Sequence, residues 1–326
     1  MSYLTPKPLT PKITLEEHFL TEYFNKFEDS IVKSFRPNFR HWMEDRIGEF
    51  TEKRLESMDE HGIELQVLSL TVPGIQAIKD ANEAVYQAKS VNDFLAEITY
   101  KNPDRFAGFA SLPCQNPQEA ADELERAVTQ LGLKGALING HTNGEYLDQQ
   151  KFWCIWERAE SLGVPIYLHP NSPVDQWKVM EGYPELTKAM WGWGVETATH
   201  TLRIILSGLF DRFPKSTLVL GHMGETLPFT LQRLDDRFGV GADNRNLEKT
   251  PSQYIRENIM VTTSGVCSPE ALLCTQLAVG TDRIMFSIDY PYQCPEEATK
   301  FIESAPLSPS DLRKICYENA KKLLSL

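Results

Sequence analysis

No apolar run in this 326-residue sequence approaches the roughly 20 residues that a membrane-spanning helix requires; the longest are of strand length. Positive charge is also scarce, with 33 Lys and Arg against 45 Asp and Glu and a formal net charge of -12. Binding to nucleic acid or to an anionic membrane draws on clustered cations, so neither partner is expected. The six cysteines (Cys114, Cys154, Cys267, Cys274, Cys294, Cys316) form no CxxC pair, and the first residues show no basic region followed by an apolar stretch. A cytoplasmic protein with reduced thiols is the expectation. Internal repeats, low-complexity tracts and Ser/Gly linkers are missing too, which leaves one domain over residues 1–326.

What is present is a rhythm. Short apolar, β-branched runs recur at residues 13–18, 65–70, 106–112, 135–140, 165–170, 217–222, 259–265 and 283–289. They lack strict polar alternation, as strands buried on both faces do, and stretches of helical periodicity separate them. Helices are expected over 52–61, 81–101, 117–131, 150–162, 197–213, 227–238 and 269–279, with Asp311 starting a closing one. Eight strands joined by helical crossovers predict a (β/α)8 barrel, a TIM barrel of mixed α/β class. Residues 19–44 and 171–195 interrupt the alternation just after strand ends, the second with Trp177, Trp191 and Trp193. Barrel enzymes elaborate their active-site loops on that C-terminal face, so both segments are expected to be pocket walls.

Four of the eight runs end on ionisable residues: Glu16-Glu17-His18, His169, His222 and Asp289. Side chains alternate along a strand, so Glu16 and His18 share a face and Glu17 points away. Each group alone has an ordinary explanation as a capped or hydrogen-bonded residue. Together, on one rim of a barrel, they would be costly to bury uncompensated. A divalent metal resolves this: Glu16, His18, His169 and Asp289 supply two imidazoles and two carboxylates, a donor set suited to zinc or manganese. His222 sits in Gly221-His222-Met223-Gly224-Glu225, where the glycines let the backbone approach a ligand and Glu225 can orient the imidazole. Proton handling or substrate polarisation is its expected role, with a third imidazole ligand as the competing one.

The runs LEEHF, YLHP, GHMGE, TTSG and SIDYPY, in this order along nearly the whole chain, resemble the amidohydrolase-superfamily decarboxylases related to aminocarboxymuconate-semialdehyde decarboxylase. The similarity is greatest to the aromatic-acid branch, which acts on gamma-resorcylate, 5-carboxyvanillate, 2,3-dihydroxybenzoate or salicylate. LEEHF resembles the gamma-resorcylate enzymes, whereas INGHTNGEYLD and MFSIDYPYQ are more similar to the 5-carboxyvanillate ones. The resemblance implies metal ligands at Glu16, His18, His169 and Asp289 and an active-site His and Glu pair at His222 and Glu225. It further implies substrate contacts from Arg233, Asn139 and Arg54; for Arg54 a solvated helix face is the alternative.

The implied activity is non-oxidative decarboxylation of an ortho-hydroxylated aromatic acid. The metal would chelate the carboxylate and the adjacent phenolic oxygen, and Asp289 would protonate the ring carbon. Trp191, Trp193 and Tyr290 would stack on or enclose the ring. A small aromatic carboxylate is thus the expected partner, and a homodimer or homotetramer the assembly that the resemblance implies. A lactonase-like hydrolase of the same superfamily and a non-catalytic ligand-binding barrel are the alternatives.

Overall fold

The computed structural model describes residues 9–27, 33, 35–175, 177–241 and 245–326. Parts of both inserted segments, 28–32, 34 and 176, lie outside these. Eight parallel strands make the barrel: β1 (Lys12–Phe19), β2 (Ile63–Leu70), β3 (Phe106–Gly108, continued after Phe109 as Ala110–Ser111), β4 (Ala136–Asn139), β5 (Ile166–His169), β6 (Leu218–Leu220), β7 (Ile259–Thr262) and β8 (Ile284–Met285). Each pairs in parallel with the next. The ring closes beyond β8, where the His18 amide donates to the Tyr290 carbonyl at 2.7 Å and the Asp289 amide to the Glu16 carbonyl at 3.0 Å.

Period-two alternation sorts the strand residues into two cores. Ile13, Leu15, Val67, Phe109, Leu137, Tyr167, Val219, Met260 and Met285 form the interior, which the C-terminal helix Asn319–Leu324 plugs with Leu324. Their neighbours, such as Leu68, Ile138, Leu168, Leu220 and Val261, pack outward against the helices. This two-sided burial is why the strands read as continuous apolar runs.

Helix ends follow local chemistry. Asn116 caps Pro117–Thr129 by accepting from the Glu119 amide, and Gly163 ends Trp153–Leu162 in a left-handed conformation. Several boundaries differ from the sequence expectation. The closing helix begins at Pro309, with Ser308 as its cap and Asp311 one turn in. The helix expected from Thr197 starts at Gly192, inside the second insert. Three helices that begin with proline, Pro37–Glu44, Pro251–Asn258 and Pro295–Ser304, were not foreseen.

Candidate metal and active site

One irregularity in β1 sets the site. Thr14 pairs with Gln66 and Glu17 with Leu68, so three steps along β1 match two along β2 and one residue is extra. The bulge fills with Ser287, whose hydroxyl oxygen accepts from the Leu15 amide at 2.9 Å and the Glu16 amide at 2.7 Å. The extra residue flips the parity of the strand. Ile13 and Leu15 face the interior below it, and Glu16 and His18 face the interior above it. Glu17 points aside, its carboxylate accepting from the Ser287 hydroxyl and the Ile288 and Tyr290 amides, and burial pushes it up to about 8.

Inward positions near the ends of the other strands complete a cluster. Glu16, His18, His169 and Asp289 each offer a ligand atom, and these atoms all lie within 4.8 Å of one another. His18 Nε2 is 3.2 Å from Asp289 Oδ1, and His169 Nε2 is 3.4 Å from Glu16 Oε1. Glu16 Oε1 and His18 Nε2 are buried and make no hydrogen bond, an arrangement that is costly unless a cation takes both. Two imidazole nitrogens and two carboxylate oxygens with such orphaned atoms fit a divalent metal ion. Asp289 itself has φ +80°, a left-handed conformation that a non-glycine residue adopts under strain.

His222 stands on a stranger piece of backbone. His222, Met223, Gly224, Glu225 and Thr226 have φ of +49°, +56°, +77°, +53° and +69°, one turn of left-handed helix. Each such non-glycine residue costs about 1–2 kcal/mol. The turn brings positions three apart onto one side, where His222 Nδ1 lies 2.8 Å from Glu225 Oε1. His222 Nε2 then lies 3.7 Å from both Glu16 Oε1 and Asp289 Oδ2. The glycines of this segment serve the protein rather than a ligand. A Cβ at Gly221 would sit 2.5 Å from Glu16 Oε2 and 3.0 Å from Ser264 Oγ, and one at Gly224 would press on Pro228.

Electrostatics separate the groups. Burial lowers His222, but Glu16 and Glu225 outweigh it and hold the imidazole well above its ordinary value. Burial and the neighbouring His18 push His169 well below, leaving it neutral, the ligating form. Burial raises Glu16. Asp289 is lowered, because the imidazoles of His18 and His222 beside it outweigh its burial.

The cluster forms one wall of a cavity of about 400 Å³ lined mainly by apolar side chains. Phe35 and Phe39 come from the first insert, and Lys188, Met190, Trp191 and Trp193 from the second. Trp193 is tied by its indole N–H to the Ser172 hydroxyl at 3.0 Å. His169, His222, Glu225 and Asp289 reach the cavity, and Trp191 lines it while half exposed.

Other expected contacts lie elsewhere. Arg54 is wholly buried: Nε donates to the Glu49 carbonyl at 2.9 Å, Nη1 to Gln66 Oε1 at 3.2 Å and Nη2 to the His18 carbonyl at 2.8 Å. It is neither a solvated residue nor a cavity residue, because its donors are taken by the protein. Tyr290 packs its ring 4.6 Å under that guanidinium, away from the cavity. Tyr292, two residues on, lines the cavity instead, its ring 5.6 Å from His18 and its hydroxyl 2.7 Å from Thr71. Asn139 is buried with Oδ1 unpaired, and Arg233 is exposed; neither is among the cavity-lining residues. Phe35, Phe39, Lys188, Tyr292 and Gln293 were not singled out from the sequence; an aromatic pair four apart in the first insert was the available signal.

A closed parallel barrel with a histidine and carboxylate cluster on its C-terminal rim defines a metal-dependent enzyme class. The chain belongs to the amidohydrolase family, whose model, described as Amidohydrolase, matches residues 14–326. Among its relatives, a gamma-resorcylate decarboxylase from Polaromonas sp. (strain JS666) is 41% identical over 331 residues, covering 97% of this chain and 98% of that one. A solved dihydroxybenzoic acid decarboxylase from Polaromonas sp. JS666, with bound manganese and the inhibitor 2-nitroresorcinol, has a TM-score of 0.93 at 38% identity over 98% of both chains. The 5-carboxyvanillate decarboxylase of Sphingomonas paucimobilis has a TM-score of 0.89 at 36% identity, covering 97% of this chain and 99% of that one.

Proposed function

We infer that this chain is a metal-dependent carboxy-lyase that removes carbon dioxide, without oxidation, from a small ortho-hydroxylated aromatic acid of the hydroxybenzoate class. The observation that carries this is the four-residue cluster, with its two orphaned ligand atoms, at the wall of an apolar, aromatic-lined cavity. Gamma-resorcylate and 5-carboxyvanillate decarboxylases of similar sequence and fold support the reaction class. Glu16, His18, His169 and Asp289 would hold one divalent ion, manganese or zinc. When bound, that ion supplies Lewis acidity toward the substrate's carboxylate and ortho oxygen.

The remaining steps fall to side chains. Phe35, Phe39, Trp191 and Trp193 enclose the ring and exclude water, which strengthens every charge interaction inside. His222, held between Glu16 and Glu225, keeps a proton on Nε2, 3.7 Å from Asp289 Oδ2. Asp289 takes that proton on Oδ2 and passes it to the ring carbon bearing the carboxylate. Loss of carbon dioxide then restores aromaticity, and a proton from solvent restores His222. Asn139, buried with Oδ1 unpaired but outside the cavity lining, keeps a substrate role only on the resemblance. Arg233, exposed within this chain, keeps a substrate role only on the resemblance.

The six free cysteines support a reducing, cytoplasmic location, and no helix among the described residues is long and apolar enough to cross a membrane. Exposed Phe229, Val240, Leu273 and Leu277 on neighbouring helices support a homodimer or homotetramer, which light scattering tests. The test of function is a panel of hydroxybenzoates and lactones, with carbon dioxide and ring-opened acids measured separately. Carbon dioxide from an ortho-hydroxylated acid is the expected product. Ring opening alone would turn the assignment to a hydrolase.

A further inference from the structure

The interior hydroxyls beneath the cluster take no part in the chemistry above, yet they converge on one oxygen. Glu16 Oε2 accepts from the Tyr167 and Ser264 hydroxyls, and Thr262 Oγ1 lies 3.5 Å away. Thr262 also bridges the pair, 2.8 Å from the Tyr167 oxygen and 3.0 Å from Ser264 Oγ. The proton count allows both the Tyr167 and the Ser264 hydroxyl to donate to Glu16. A serine hydroxyl has one proton, and Ser264 Oγ already accepts the His222 amide at 3.1 Å, so that proton is free for Glu16. The Tyr167 hydroxyl, wholly buried against the same oxygen, gives it a second proton. Gly221 closes the cradle from the other side, leaving no room for a methyl group beside Oε2. The other oxygen, Oε1, receives nothing and faces His169 Nε2 at 3.4 Å.

We propose that Tyr167 and Ser264 are positioning residues that lock Glu16 through Oε2, so that it offers Oε1 alone to the resident cation. A carboxylate torsion is broad and roughly two-fold when free. Two donated protons and a missing side chain at position 221 reduce it to one orientation. Because Ser264 also holds the His222 amide, the same hydroxyl ties the left-handed turn to the ligand set. Partners of this kind set metal affinity by about 10–100-fold. The inference rests on the metal-dependent reading of the site.

The test is manganese binding by the full chain, measured by competition with a chelator in the absence of substrate, for the parent, Tyr167→Phe, Ser264→Ala and Ser264→Thr. The proposal expects about 10–100-fold weaker binding for the first two variants and recovery to within a few-fold for Ser264→Thr. A purely structural role would instead lower the melting temperature of the metal-free chain and leave the affinity of its folded fraction unchanged. Variants that fold and bind manganese as the parent does would overturn the proposal. Should the variants not fold, infrared spectra of the parent carrying carbon-13 glutamate provide a second readout: the band splitting of one-oxygen ligation supports the lock, and that of a two-oxygen chelate refutes it. A parent chain that binds neither manganese nor zinc would sink the metal-dependent reading itself, a result distinct from normal parent binding with unaffected variants.

Discussion

Arg54 is the residue at which two accounts of this site part most sharply. If it holds substrate, its loss raises KM and leaves the fold alone. The structure gives it a different task, joining the Glu49 and His18 carbonyls over the ring of Tyr290. In Arg54→Met both carbonyls lose a charged donor, and a buried hydrogen bond to a charged group contributes about 1.5–3 kcal/mol. The two together amount to about 3–6 kcal/mol. For 326 residues the unfolding entropy near 60 °C is about 0.7 kcal/mol/K, so the melting temperature should fall by about 4–9 °C. Differential scanning calorimetry on metal-free protein measures this without interference from ligand binding. A melting temperature unchanged to within about 1 °C, combined with a raised KM, would refute the structural role.

Other perturbations separate the remaining roles. Asp289→Asn should keep the fold while abolishing turnover; substantial carbon dioxide release from the purified variant would reject Asp289 as the proton donor. His169→Ala should lower bound metal, and full occupancy by elemental analysis would exclude His169 from the ligand set. His200, buried beside Tyr146 and accepting from the Leu147 amide, is pushed down by burial from 6.5 to about 3. Between those values the unfolded chain binds more protons at this position, so its contribution to stability rises with pH, by about 1.4 kcal/mol per unit. That contribution is complete above 6.5 and lost as pH falls toward 3. Urea midpoints should therefore depend less steeply on pH in His200→Gln, and identical slopes would contradict this.

The barrel was legible because its strands are buried on both faces and its helices are punctuated by Asn116, Gly163 and similar residues. The grouping of Glu16, His18, His169 and Asp289 was legible from where charges fall on strand ends. Less visible was the bulge at Leu15 and Glu16, since an extra residue in one strand leaves no mark on apolar periodicity. The left-handed turn after Gly221 was hidden for a similar reason, as four of its five residues are types that normally avoid that conformation. Arg54 sits in a strongly polar helix, Glu52–Glu60, and only its tertiary partners show that its guanidinium is buried. Tyr290 and Tyr292 lie two residues apart in one motif, and the path of the chain after Asp289 decides which ring meets the cavity. Tyr167, Thr262 and Ser264 stood in plain sight within YLHP and TTSG, but convergence on a single oxygen is a property of three dimensions.

The most direct test of the central claim is turnover against added metal. Metal-stripped protein is titrated with manganese while carbon dioxide release from 2,6-dihydroxybenzoate and a panel of other ortho-hydroxylated acids is recorded. Activity toward at least one acid should be absent at the start, rise with occupancy and level off at one ion per chain. Undiminished turnover without metal, or none toward any such acid once the site is full, would contradict it.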